Sequence, residues 1–188
     1  MPICLETTAA ILLRKTKLTE TSLIVAWLTE HHGKLKTVAK GALQSRSKFA
    51  GRLDLFFECE IQFSRSRKSE LHALREVELH DPFDGLRLNY SRVALASYFV
   101  ELIELVTEPE HAVAELFDLL RRAQRYLSSH TADLRALEHY ENELAKLIGI
   151  SDPRVSAMVA IGRTYHHLPK GRPGLIKLLK KESETAAS

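Results

Sequence analysis

Between Arg14 and Arg52 the chain concentrates basic side chains: Arg14, Lys15 and Lys17, then Lys34, Lys36 and Lys40, then Arg46, Lys48 and Arg52. Lys34, Lys36 and Lys40 fall at even spacing, and alternate residues of a strand point to one face. A row of like charges repels itself modestly. The spacing alone leaves two readings open: a solvated outer face, or a face that meets a polyanion. The second basic run, Arg65, Arg67 and Lys68, sits in the polar turn "SRSRKS".

Other chemistry is poorly provided for. Nucleophilic catalysis needs an activated nucleophile, a base and an orienting group, and no local signature such as G-x-S-x-G occurs. Phosphate cradling by a Gly-rich loop needs more than the single glycine of "AKGALQS". Glu58 and Glu60 read as alternate strand residues on a solvated face. The neighbouring pairs His31-His32 and His166-His167 point in different directions and do not share a ligand. Two cysteines, Cys4 and Cys59, give neither a disulfide framework nor a zinc quartet, and a reducing cytoplasm is the default. Trp27, among Ile24, Val25 and Leu28, reads as a core residue more readily than as a stacking platform. The expectation is a binding protein rather than an enzyme, with no cofactor and no metal.

The elements that position these residues change character along the chain. "TTAAILLRKTKL" reads as a first strand. "TSLIVAWLTEHHGKLKTVAKG" reads as two strands around His32-Gly33, where glycine supplies a positive φ. "LDLFFECEIQFSRS" puts Phe57, Cys59, Ile61 and Phe63 on one face, and Glu58, Glu60 and Gln62 on the other. "SELHALREVEL" completes five short strands, which suggest a small barrel or curled sheet. After "HDPFDGL" the period becomes helical. Stripes appear at Val93, Ala96, Tyr98/Val100 and Ile103; at Val113, Leu116, Phe117, Leu120, Ala123 and Leu127; and at Leu134, Leu137, Tyr140, Leu144, Leu147 and Ile148. Gly149 is a C-cap. "RVSAMVAIGRTYHHL" is a further helix, "KGRPGLIKLLKK" starts with a Gly/Pro turn, and "ESETAAS" reads as a frayed tail. The expected fold is α+β: an N-terminal β-barrel followed by an α-helical bundle.

Composition is consistent with a globular protein. Of 188 residues, 45% are hydrophobic and 27% charged. No apolar run reaches the roughly 18–20 residues that span a bilayer, so no membrane partner is expected. "MPICLETTAAILLRK" has no basic leader before its apolar run and reads as mature protein. The net charge of +3 is unevenly spread. Residues 1–79 carry 13 Lys/Arg against 9 Asp/Glu, residues 80–150 carry 7 against 12, and residues 151–188 carry 7 against 3. A basic–acidic–basic chain suggests a polyanion for its ends.

The ordered marks from Ala9 to Phe63 resemble the N-terminal domain of the RecO family of bacterial recombination mediators. An apolar strand ends in a basic turn, Thr19-Glu20-Thr21 precedes the second strand, "LTEHHGK" is similar to the family's Thr–x–x–x–Gly turn, and "VAKGA" leads into a basic, serine-bearing loop and Leu53-to-Phe56. "ASYFVELIELVTE", "ELFDLLRRAQRYL", "HYENELAKLIGI" and "TYHHLPKGRPGLIKLLKK" follow in the family's order. The resemblance implies an OB-fold over residues 1–80 that binds nucleic acid, and a helical domain over 81–188. It implies binding of single- and double-stranded DNA, annealing of complementary strands, and help in loading RecA onto SSB-coated DNA. It implies RecR and the acidic C-terminal tail of SSB as partners, and a cytoplasmic, nucleoid-associated location in a bacterium. Many members carry a four-cysteine zinc motif between the last helices. "GISDPRVSAMV" joins those helices here with no cysteine, so no metal site is carried over.

On this reading an OB-type barrel holds DNA by a basic groove with few base-specific contacts. The phosphate contacts fall to Arg14, Lys15, Lys34, Lys36, Lys40, Arg46, Lys48 and Arg52. Phe49 is the candidate for base stacking, against the alternative that it folds back onto the barrel. Arg121, Arg122 and Arg125, with Lys177, Lys180 and Lys181, are candidate rims for an SSB-tail groove, against the alternative of solvated helix faces. An RNA-binding OB module and a protein-interaction scaffold are the rival functions.

Overall fold

The computed structural model describes residues 5–186; Cys4 and the last two residues of the tail lie outside them. Five strands come first: β1 (Leu5–Lys17), β2 (Leu23–Thr29), β3 (Gly33–Ala39), β4 (Glu58–Ser64) and β5 (Leu71–Asp81). A 3-10 turn at Asp84–Leu88 leads to α1 (Tyr90–Val106), α2 (Ala114–Ser129), α3 (Leu134–Leu147), α4 (Ala157–Tyr165) and α5 (Arg172–Ala186). The chain divides into two compact units. One runs to Pro82 and takes in Thr107–Phe117; the other comprises Phe83–Val106 and the chain from Asp118 onward.

The strands close into a barrel in the order β1-β2-β3-β5-β4, the OB-like arrangement. All neighbours are antiparallel except β3 and β5, which run parallel. β1 is long enough to serve two partners, β4 through Leu5–Ile11 and β2 through Ala10–Lys17. The inward faces of the strands supply Ala10, Leu12, Val25, Trp27, Leu35, Cys59, Ile61, Phe63, Leu74 and Val77 to one core. Burial pushes the Cys59 thiol up to about 12, which makes it a packing residue rather than a nucleophile.

The chain between β3 and β4 is a succession of turns that sends a side chain into the barrel core. Phe49 is buried in the core, with Ala42, Leu53 and Phe57 packed against it. The turns tie to the strands through the backbone: Leu43 N donates to Thr21 O and Phe56 N to Leu12 O. Phe56 takes a positive φ of 73°, so the fourth strand starts at Glu58 and not at Leu53. Glu58, expected on a solvated face, is buried at the strand's start, whereas Glu60 is exposed.

In the helical unit, Tyr140 stacks on Phe99 with ring centroids 3.8 Å apart. The buried Glu141 of α3 accepts from Tyr98 Oη at 2.6 Å and takes a fork from Arg172 at 2.7 and 2.8 Å. The start of α5 is thereby tied to α1 and α3. Asp133 caps α3 by accepting from Ala136 N, and Gly149 ends it with φ 75°. Gln124, not Ala123, is the buried residue in the middle of α2. The segment expected to fray continues α5 through Ala186.

Candidate nucleic-acid interface

The outer surface of the barrel acquires its character from one irregularity. The β1–β2 register slips between Leu12 and Arg14, so Leu13 is an extra residue. Ala10 and Leu12 point into the core before this bulge. After it the phase reverses: Arg14 and Thr16 pair with Ala26 and Ile24, which alternate with the core residues Val25 and Trp27. On β3 the core residues are Leu35 and Ala39, so Lys34, Lys36 and Val38 face outward. Ala26 pairs with Arg14 on one side and Lys36 on the other. Two exposed cations therefore flank a methyl-sized side chain across three strands, about 10 Å apart by the usual strand spacing. Lys40 and Arg46 are exposed beyond the end of β3. Lys36, Lys40 and Arg46 take part in no side-chain hydrogen bond or ion pair among the described residues.

The other expected contacts are distributed differently. Lys15 lies in the inward phase and is held by Asp54 at 2.7 Å and by the Leu53 carbonyl at 3.0 Å. Lys48 donates to the Arg75 carbonyl, and Arg52 Nη1 to the Val77 carbonyl at 3.0 Å. The β3–β5 pairing covers only Leu71, His72 and Ala73 of β5. Lys48 and Arg52 thus satisfy backbone acceptors where β5 has left β3, a structural task invisible in local sequence. Lys34 is half-buried, and its carbonyl accepts from Glu110 N. Phe49 is 3% exposed. Its ring lies in the core with the Lys48 ammonium 5.2 Å from its centroid, so the stacking role expected of it is corrected to packing. Trp27 is fully buried and donates Nε1–H to Thr37 Oγ1 at 2.9 Å.

The opposite side of the barrel carries the other sign. Glu60 and Glu78 are direct cross-strand neighbours, and Glu76 pairs with Gln62. These four, with Thr7, Lys48 and Arg52, line a cleft of about 700 Å³. Three carboxylates against two cations there make the cleft a poor place for a polyanion. Arg14 of β1 and Lys36 of β3 are not among the residues that line it.

A strap from residues 107–117 completes the barrel unit. Pro109 bridges β3 at Lys34 in parallel fashion. Gly33 needs its positive φ of 65°, and a Cβ there would stand 2.2 Å from the His111 carbonyl oxygen. Arg65 grips both oxygens of Glu6 at 2.9 and 3.1 Å, and also binds Glu110. The Arg65 hydrogen bond holds the Glu6 carboxyl below its ordinary range. Glu110 reaches the buried His72 at 3.2 Å. His32 packs edge-on to Phe63, and burial lowers its pKa although Glu6 opposes the shift. Sequence reasoning missed Glu110, which is 45 residues from Arg65 and bears no local mark.

On α2, Arg121 and Arg122 both bind Asp118, at 2.8 and 2.7 Å. The Arg121 hydrogen bond lowers the Asp118 carboxyl. Arg125 on α2, and Lys177, Lys180 and Lys181 on α5, are exposed. The residues joining α3 to α4 contain no cysteine and do not fit a four-cysteine zinc site. None of the helices in the described residues is long and apolar enough to cross a membrane.

Comparison with known proteins agrees with this architecture. The profile described as "Recombination protein O N terminal" matches residues 1–83, and that described as "Recombination protein O C terminal" matches residues 87–167. The DNA repair protein RecO of Desulfatibacillum aliphaticivorans is 35% identical over 128 residues, which cover 68% of this chain and 50% of that protein. The protein of the same name from Rhodopirellula baltica is 30% identical over 154 residues, covering 82% and 57%. That from Clostridium novyi is 32% identical over 143 residues, covering 76% and 55%. The chain thus spans about half the length of the curated relatives it matches. With both profiles matched in order along the barrel and the helices, the chain belongs to the RecO family of DNA repair and recombination proteins.

Proposed function

We propose that this chain binds DNA through the outer face of β1, β2 and β3, anneals complementary strands there, and assists RecA loading on SSB-coated single strands. The observation that carries the reading is the Arg14–Ala26–Lys36 row, set outward by the bulge in β1 and continued by the exposed Lys40 and Arg46. Phosphate contacts of this kind position a strand without reading its sequence. Annealing follows in physical terms when cations screen two backbones and leave the bases free to pair.

Four outward cations set the size of the salt effect. Each phosphate neutralised on a single strand contributes about −0.7 to the slope of log affinity against log salt, so the expected slope is about −3. Anisotropy titration of a labelled 30-nucleotide single strand over a range of KCl concentrations tests this. A slope near zero overturns the interface. Stopped-flow annealing of complementary oligonucleotides, with and without SSB, tests the activity, and no acceleration at low salt overturns it.

For partners, the reading is RecR and the acidic tail of SSB. Arg121 and Arg122 are already neutralised by Asp118, so an acidic tail at α2 must compete with that carboxylate. Arg125 on α2 and Lys177, Lys180 and Lys181 on α5 are exposed cations that such a tail could also meet. Charge reversal at Arg125 that leaves tail-peptide affinity unchanged would remove α2 from consideration.

A further inference from the structure

Among the described residues, the outward face of β1, β2 and β3 carries no aromatic side chain of the kind on which single-stranded DNA commonly stacks. Trp27 and Phe49 are both in the core. The outward face instead has a second cross-strand row beside the cationic one. Ile24 pairs with Thr16 on β1 and Val38 on β3, and Val38 pairs with Ala73 on β5. Ile24, Val38 and Ala73 are each half-buried, so one side of this aliphatic row meets solvent.

We infer that the Ile24–Val38 row is the surface on which the bases of a single strand rest. The inference rests on the DNA-binding reading above and names the part of the site that meets bases rather than phosphates. The geometry supports it in three ways. Row separation is two residues along each strand, about 7 Å, so the ridge runs directly beside Arg14 and Lys36. Lys40 follows the end of β3 on the far side of Val38, which puts cations before and after the ridge along that strand. Past the same ends of β1 and β3, Leu18 and Leu43 are 45% and 49% exposed. The Leu43 amide is fixed to the Thr21 carbonyl in the β1–β2 turn, so the exposed aliphatic side chain sits on an anchored backbone.

This arrangement has a functional consequence. A ridge of branched aliphatic side chains gives each base an apolar contact but no π-face. Bases are sheltered without being trapped, their pairing edges remain available, and affinity rests mainly on phosphate contacts. A strand held in this way is ready to anneal. An aromatic ring placed on the ridge should bind single strands more tightly and release them to a complement more slowly.

The test uses the full chain, a fluorescein-labelled mixed-sequence 30-nucleotide single strand, and its unlabelled complement. The variants are the double substitution Ile24→Thr with Val38→Thr, which keeps β-branching and strand propensity, and the single substitution Val38→Tyr. Trp27 fluorescence and circular dichroism establish that each is folded. The double variant is expected to bind the single strand about three- to tenfold more weakly at fixed salt, with the wild-type salt slope. Val38→Tyr is expected to bind at least about fivefold more tightly, the lower end of what a stacked base contributes, and to anneal more slowly. Wild-type affinity in both variants, with the wild-type slope near −3, overturns the ridge and leaves the phosphate interface standing. A wild-type slope near zero overturns both.

Discussion

Two adjacent cations, Arg14 and Lys15, show what one extra residue does. In sequence they are equivalent; in the barrel the bulge at Leu13 sends one outward and turns the other inward to Asp54. Replacing Lys36 by alanine is expected to weaken single-strand binding and to make the salt slope shallower by about 0.7, one phosphate's share. Lys15→Ala is expected to leave that slope unchanged, since its ammonium is already occupied; titrations of both variants at several KCl concentrations separate the roles. Phe49→Ala is expected to cost about 3–5 kcal/mol of stability, the usual effect of emptying a buried phenyl site, as read in urea unfolding. Its folded form should keep wild-type DNA affinity. The alternation of β3 was legible because strand period alone places Lys36 outward. The duties of Lys48 and Arg52 were not, because the carbonyls they bind belong to Arg75 and Val77, 27 and 25 residues away.

At the level of elements, the barrel strands and α1, α2 and α3 could be read from hydrophobic period, because each buries one face. α4 read as a helix, whereas the α5 segment read only as a Gly/Pro turn and a frayed tail, yet it is helical from Arg172 to Ala186. The connector could not be read this way. Its charge and lack of period suggested an open loop, yet Phe49 enters the barrel core and Phe56 is buried as well. Nor could the strap, whose hold on the barrel depends on Glu110 meeting Arg65 and His72. The charges around the strap predict a direction of pH dependence. His32 has a lowered pKa in the folded barrel, chiefly through burial. Below about pH 6.5, the ordinary histidine value, the unfolded chain therefore takes up a proton that the folded one resists, and stability falls. Glu6, also lowered, contributes stability that is present above the ordinary carboxylate range and is lost as pH falls through its folded pKa. Both groups act in the same sense, His32 first. Urea midpoints are expected to drop between pH 7 and pH 5.5, and His32→Asn should flatten that drop. An equal drop in the variant would assign the effect to other groups.

At the scale of the whole molecule, the division into two units supplies an independent probe of each. Trp27 is the sole tryptophan of the sequence and lies in the barrel core, so its fluorescence follows the barrel. Ellipticity at 222 nm is dominated by the helices, which lie mainly in the second unit. At Gly33 the strap passes so close to the barrel that there is no room for a Cβ. An alanine there must adopt an unfavourable left-handed φ, at roughly 1–2 kcal/mol, and its Cβ must also displace the His111 backbone. Gly33→Ala is therefore expected to lower the Trp27 transition by at least about 2 kcal/mol. Arg172→Met does the reverse experiment. It leaves the carboxylate of Glu141 buried without the guanidinium fork, a loss of about 3–5 kcal/mol for a broken buried pair, expected in the 222 nm transition. If the two substitutions move the two signals separately, strap and barrel form one cooperative unit and the remaining helices another. Coincident shifts of both signals in both variants would mean instead that the chain unfolds as a single cooperative body, so that damage to the strap weakens the helices as much as the barrel.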